Sequence, residues 1–530
     1  MRIKRLRNLG NGLNQNGRIL AIIFLSVMMF MSFSMIDRGL WRPDEPRVAG
    51  ICAEMARTGD YVMPRLNGRP FLEYPPMYYV AGAVMGRIIG TESDVPYRLV
   101  SLLFGLVTLG VVFLLMYHSS GMEGGVLAAG ILASSWGFFR VWHWIIVDIA
   151  LVGGVTVAMY AYIRLTRTDR VRYAVLLGLG IGMSFLAKGL VGPAIIAAAL
   201  LADMIRQRGF TPLWGLQTLL IVACALLPII PWFVTLYQRG GWPFLREVVV
   251  VNSVMRFTGA PEGAALGHQQ GPLFYWDGML RHMLPWSLLL VPAVVMSLRR
   301  YREDPFLGWI IGPLVLLSLA ATKRGQYLVP LFPAAACLIA TWLMSAPRQK
   351  WETWMLGITW GMAVLGSLAP FAGIGLGHPV LGLGMGCIAF VALLSFVACK
   401  RAGVMHRQIS LVLIVCVAVS ACTTVYFAYQ KPLEDNLAFA RKVVHIANGR
   451  DITLIGHDES TRGLFSMVAG RTLPVIAHPD DLAKPGLYVW SDRDSRILRE
   501  LQAVTTVELY WHAIADNTEI SMAYIKPDVE

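Results

Sequence analysis

The chain has 530 residues, 56% hydrophobic and only 15% charged, against about 25% charged in an average soluble domain. That composition excludes a disordered chain, a collagen-like repeat and an ordinary water-soluble enzyme, and the long apolar runs mark a polytopic membrane protein. The net charge of +13 does not point to nucleic acid, because of where the charges sit. Lys and Arg fall in short runs between apolar stretches, as in Arg2–Arg7, Arg167–Arg172, Arg206–Arg208, Arg299–Arg302, Arg348–Lys350 and Lys400–Arg407. This is the positive-inside pattern of cytoplasmic loops.

In chain order, Arg18–Ile36 is an apolar run behind a basic N-terminus. No small-x-small cleavage site follows it, so it is expected to be an uncleaved first span with the N-terminus in the cytoplasm. Residues 37–98 form a large first loop on the outside. Within it, Pro46–Arg57 predicts an amphipathic helix with Val48, Ile51, Cys52 and Met55 on one face and Gly59 ending it. Met77–Ile89 is apolar but has the length of an interfacial segment rather than a span.

Spans are expected at Leu99–Tyr117, Val126–Phe139, Ile145–Leu165, Tyr173–Leu186, Val191–Ile205, Leu213–Leu236, Met283–Leu298, Phe306–Ala321, Tyr327–Met344, Met355–Ile374, Val380–Cys399 and Ile409–Tyr429. With the first, that makes about thirteen, and only if Met77–Ile89 does not cross do all the basic runs fall on one side. Residues 1–430 are therefore expected to be a transmembrane domain. Residues 431–530 have a soluble composition, with strands at Asp451–Gly456, Leu487–Trp490 and Val507–His512 and helices near Asn436–Asn448 and Ser495–Gln502. An odd span count puts this small α/β domain outside, in the periplasm of a Gram-negative host. The seven cysteines lack metal-site spacing and read as small hydrophobes.

Nearly all the residues able to do chemistry fall in the outward loops. They are Trp41-Arg42-Pro43-Asp44-Glu45-Pro46-Arg47, Phe71-Leu72-Glu73-Tyr74-Pro75-Pro76, Trp142 to Asp148, Ala187-Lys188-Gly189, Asn252, Arg256-Phe257-Thr258-Gly259, Gly267-His268 and Lys323-Arg324-Gly325-Gln326-Tyr327. Asp44 has two readings, a reactive carboxylate or an N-cap of the helix that follows. Lys188 and Lys323 read as anion ligands or as snorkelling side chains, and Tyr327 as a site residue or an interfacial aromatic. An ionisable group at the membrane edge such as Asp148 reads as functional.

The Asp44-Glu45-Pro46-Arg47, Gly59-Asp60-Tyr61, Leu66-Asn67-Gly68 and Phe71-Leu72-Glu73-Tyr74-Pro75-Pro76 series resembles the first outside loop of the bacterial lipid A aminoarabinose transferases. It also resembles the wider protein O-mannosyltransferase-like group with the glycosyltransferase C fold. Leu186-Ala187-Lys188-Gly189, Arg256-Phe257-Thr258-Gly259, Gly267-His268 and Tyr327-Leu328-Val329-Pro330 look like its later motifs. The resemblance implies a polyprenyl-phosphate-linked sugar as donor and a periplasmic lipid or protein as acceptor, lipid A or another envelope glycolipid first. The enzyme would be a multi-pass inner-membrane glycosyltransferase with its site facing the periplasm.

It further implies Asp44 as the key carboxylate with Asp148 in support. Arg47, Tyr74, Lys188, Arg256, Lys323, Arg324 and Tyr327 would contact substrate, and Glu73 with His268 would hold a divalent cation (Zn, or Mg or Mn). In the aminoarabinose transferases the residue after the motif's Glu is typically Lys, which helps hold the lipid phosphate. Here it is Tyr74, which leaves that charge to Arg47, Lys188 or Arg256. A protein O-glycosyltransferase is the alternative within the fold. A secondary transporter or lipid flippase is the alternative outside it, although no internal repeat of the transporter kind is visible.

Overall fold

The computed structural model describes residues 15–33, 38–207, 215–260, 270–300, 304–345, 348–398, 403–456, 458–478, 486–492, 506–515 and 518–526. The helices are α1 (Gln15–Phe33), α2 (Asp44–Thr58), α3 (Met77–Ile89), α4 (Val95–Ser134), α5 (Trp136–His143), α6 (Asp148–Thr168), α7 (Val171–Lys188), α8 (Val191–Gln207) and α9 (Leu216–Thr258). They continue with α10 (Phe274–His282), α11 (Ser287–Arg299), α12 (Pro305–Leu319), α13 (Gly325–Leu343), α14 (Lys350–Leu368), α15 (Pro379–Ala398), α16 (Val404–Glu434), α17 (Asn436–Ala447) and α18 (Glu459–Val468).

Among the described residues, seven helices are long and apolar enough to cross a membrane, or eight if the α10–α11 pair, bent by 115°, is one span. That is fewer than the thirteen expected, for physical reasons. A straight helix of 40 residues, the length of α4, would run about 60 Å, twice the hydrocarbon core. It is instead broken at Gly121, whose φ of 77° suits glycine alone, so the spans expected at Leu99–Tyr117 and Val126–Phe139 share one helical run. α9 is broken in the same way at Gly241. Short apolar helices, among them Gly17–Phe33 and Pro305–Leu319, supply further candidates.

The first loop folds much as its periodicity predicts. Val48, Ile51, Cys52 and Met55 are all buried along α2, and Gly59 ends the helix in the left-handed conformation with its N–H on the Met55 carbonyl. α3 spans the same residues as the apolar stretch, Met77–Ile89, with Ile88 and Val84 exposed and Tyr78 and Tyr79 turned inward. Behind the loop, β1 (Arg65–Leu66) and β2 (Arg69–Pro70) pair as a small antiparallel hairpin.

The C-terminal region carries a five-stranded mixed sheet in the order β4 (Val475–Ile476), β3 (Ile452–Ile455), β5 (Gly486–Asp492), β7 (Thr518–Lys526), β6 (Thr506–Ala515). β3 pairs in parallel with β4 and β5, while β7 runs antiparallel to both its neighbours. β4, β7 and α18 were not read from the sequence, and the helix expected near Ser495–Gln502 lies outside the described residues.

Candidate active site

The first loop is pinned by one buried acid. Glu45, fully buried, accepts both Arg38 Nη atoms at 2.6 Å, the Trp41 N–H at 2.6 Å and the Ile145 N–H at 2.9 Å. Burial works against its charge, but Arg38 and Arg98 outweigh that and hold the carboxyl below its usual range. Because Ile145 lies three residues before Asp148, this one side chain fixes the start of α2 against the start of α6. Asp44 and Asp148 are thereby placed on one frame.

Asp44 does not cap α2. The N-cap position is Pro43, no side chain bonds the free N–H groups there, and the Asp44 carboxylate takes Arg47 Nη2 at 2.6 Å instead. Arg47 Nη1 reaches Glu73 at 3.2 Å and Glu459 at 2.8 Å. Three carboxylates thus surround Arg47, which raises its already high pKa despite burial. Both Nη atoms of this guanidinium are engaged by acids, and its buried Nε–H has no partner among the described residues.

Glu73 joins two arginines, accepting Arg256 Nη2 at 2.9 Å as well as Arg47. Burial raises its pKa but the two guanidiniums prevail, and the carboxyl falls to about 2. These contacts fit a carboxylate clamped between cations and not a metal ligand, since a divalent ion beside Glu73 would sit against two guanidiniums. The partner expected for it, His268, lies outside the described residues.

Asp148, at the first residue of α6, pairs with Lys188 Nζ at 2.5 Å, and both are buried. An acid suits the positive end of a helix, and Lys188 at the last residue of α7 suits the negative one. The ammonium also lies 5.3 Å from the Tyr74 ring and 4.6 Å from the Tyr327 ring, a cation–π arrangement. Tyr74 is therefore beside Lys188 rather than a replacement for it.

The end of α9 widens into a π-helix over Glu247–Met255, with Ser253 Oγ donating to the carbonyl five residues back at 3.2 Å. The wider turn presents Asn252, Ser253 and Arg256 toward Lys188, and nothing in the periodicity announced it. Thr322 Oγ1 donates to the Arg256 carbonyl at 3.0 Å, which ties this end to the corner between α12 and α13.

Lys323 departs from expectation. Its ammonium donates to the Gln270 carbonyl at 3.1 Å and to the Ala320 carbonyl just beyond α12, so it serves as a C-terminal cap and not as an anion ligand. Arg324, half-buried, makes no ion pair among the described residues and lies within electrostatic reach of Tyr74, Tyr327, Asp44 and Glu73. Arg140, unforeseen from the sequence, stacks over Trp144 with its carbon at 4.5 Å, and its field reaches Asp148 and Asp44. His143, also in that outward turn, is spent on the Phe139 and Met31 carbonyls at 2.8 and 2.9 Å.

Some of these side chains border a cleft of about 590 Å³, part of it open to solvent. Its head carries Tyr74, Lys188, Asn252, Ser253, Arg256 and Tyr327. Its walls are apolar, made by Val191, Ala194 and Ile195 of α8 and by Leu316 and Leu317 of α12. Charged and polar side chains thus stand at one end of the cleft, and apolar side chains of α8 and α12 form its walls.

The fold is the glycosyltransferase C fold. Over 95% of this chain and 97% of theirs, the crystal structure of ArnT from Cupriavidus metallidurans bound to undecaprenyl phosphate superimposes with a TM-score of 0.77 at 19% identity, and the apo structure with 0.74. The family model described as dolichyl-phosphate-mannose-protein mannosyltransferase matches residues 73–232.

Among characterised relatives, the undecaprenyl phosphate-alpha-4-amino-4-deoxy-L-arabinose arabinosyl transferase of Edwardsiella ictaluri is 28% identical over 68% of this chain and 67% of its own length. That of Pseudomonas aeruginosa is also 28% identical, over 68% of this chain and 66% of its own. In sequence the chain is thus similar to these undecaprenyl phosphate-aminoarabinose arabinosyl transferases over about two thirds of its length.

Proposed function

We propose that this protein transfers a sugar from an undecaprenyl-phosphate-linked donor to an envelope glycolipid, lipid A first among them, at the periplasmic face of the bacterial inner membrane. The cleft is the observation that carries this reading. A polyprenyl phosphate needs cations at one end and an apolar wall at the other, and Lys188 and Arg256 stand at the mouth of just such a wall. The arabinosyl transferase names of the relatives support the same donor class.

In this reading the donor phosphate settles against Lys188 and Arg256, with the Tyr74 and Tyr327 hydroxyls as further donors. Breaking the anomeric C–O bond leaves polyprenyl phosphate, and the two cations stabilise the negative charge that grows on its bridging oxygen. Asp148 holds the Lys188 ammonium in place. Asp44, fixed by Arg47, faces the acceptor and takes the proton when a hydroxyl attacks. An acceptor phosphate is already ionised, and then Asp44 only orients it. Arg324 and Arg140, which make no ion pair among the described residues, add positive charge to the site, which suits an anionic acceptor.

The test is transfer by purified full-length protein in detergent, from undecaprenyl phosphate carrying a radiolabelled pentose, amino-pentose or hexose, to extracted envelope glycolipid. Label moving to the glycolipid with one of these donors, and not with the Asp44→Asn variant, is the expected result. No transfer from any of them would overturn the reading.

A further inference from the structure

The C-terminal region is docked on the very turn that carries Asp44. α18 crosses α2 where Gly50 meets Gly463: a Cβ on Gly50 would stand 2.5 Å from the Gly463 Cα, and one on Gly463 would stand 2.4 Å from the Pro46 carbonyl oxygen. Only glycine permits that backbone contact, and it sets the first turn of α18 beside the first turn of α2. Asp458 caps α18 through the Thr461 N–H at 2.9 Å and also binds Arg42. Ser460 Oγ donates to the Pro43 carbonyl at 3.0 Å. Asn67 exchanges two hydrogen bonds with the Leu473 backbone, at 2.9 and 2.7 Å. Between these fixings, Glu459 bonds Arg47 Nη1 at 2.8 Å.

We infer that the C-terminal domain completes the active site, with Glu459 as a positioning residue that acts on Asp44 through Arg47. This rests on the function proposed above. Arg47 Nη1 is divided between Glu459 and Glu73, while Nη2 holds Asp44 at 2.6 Å. With the Glu459 charge removed, Nη1 has only Glu73 to pair with, and the guanidinium swings toward it and away from Asp44. Lys188 and the apolar walls of the cleft touch neither Glu459 nor Arg47, and Arg256 holds the other oxygen of Glu73 at 2.9 Å, so donor binding changes little. The Glu459 side chain is 47% exposed, and an exposed pair of this kind contributes little to stability, so variants there fold.

The experiment compares full-length wild type, Glu459→Gln and Glu459→Asp in detergent. It measures the thermal midpoint, undecaprenyl phosphate affinity, and kcat and KM with whichever labelled donor the wild type uses. Glu459→Gln is expected to lower kcat about tenfold, as misplacement of a reacting group does, with KM and undecaprenyl phosphate affinity within about twofold of wild type. Glu459→Asp should recover part of the loss. A Glu459→Gln enzyme with wild-type kcat would overturn the inference while leaving the functional reading standing. So would one whose midpoint and donor affinity fall together with kcat. A wild type that transfers no sugar at all would overturn both.

Discussion

Glu73 shows how a single residue's surroundings can outweigh what its type suggests. As a lone carboxylate in an outside loop it reads as a metal ligand or a surface acid, yet it lies between Arg47 and Arg256 with its pKa at about 2, below the ordinary 4.5. A carboxylate depressed in the folded state adds stability at pH above 4.5, and that contribution disappears as pH falls toward 2. The thermal midpoint of wild type should therefore drop steeply below pH 4.5, and Glu73→Gln should flatten that part of the profile. At pH 7 the Gln variant should lose on the order of 3 kcal/mol, because two guanidiniums are left with one acid fewer. A Gln variant as stable as wild type, with an unchanged acid limb, would contradict the clamp.

Asp44 and Tyr74 give a second pair of tests at the same scale. Since Asp44 caps nothing, Asp44→Asn should express and fold normally while transfer falls about a hundredfold or more, the scale of a lost acid–base group. Near-normal turnover would remove Asp44 from the chemistry. Tyr74 lies over Lys188 at 5.3 Å, so Tyr74→Lys sets two ammonium groups side by side. The apo protein should melt lower than wild type, and undecaprenyl phosphate should restore more of the midpoint than it does in wild type, because a phosphate can accept from both. A midpoint insensitive to the lipid in that variant would place the phosphate elsewhere.

At the scale of elements, what could be read from the sequence is what local periodicity encodes. α2 was visible in the spacing of Val48, Ile51, Cys52 and Met55 before Gly59, and α3 in the apolar run of Met77–Ile89. The outward loops could be grouped because the basic runs assign the other ends. What joins them could not be read. Asp148–Lys188 joins two helices and Glu73–Arg256 joins the first loop to the end of α9, and the π-turn at Glu247–Met255 depends on packing, not on any propensity. Lys323 turned to backbone carbonyls because it falls just past the end of α12, where unpaired C=O groups gather.

The Gly50–Gly463 crossing is equally invisible from either helix alone. Gly463→Leu should separate α18 from α2 and lower kcat at least as far as Glu459→Gln does, while circular dichroism still reports a helical protein. A fully active Gly463→Leu enzyme would show that the docking has no bearing on catalysis.

The whole molecule places a cleft with a charged head where the ends of α7 and α9 meet the α12–α13 corner, with α18 docked on α2 beside Asp44. Undecaprenyl phosphate binding tests this arrangement most directly, measured by equilibrium displacement of the labelled lipid on the full-length protein in detergent. Wild type should bind one lipid per chain, Lys188→Gln with Arg256→Gln should weaken it about a hundredfold through two lost charge-assisted contacts, and Asp44→Asn should bind as wild type does. Binding that survives the double substitution unchanged would contradict the placement of the donor phosphate, and with it the proposed site.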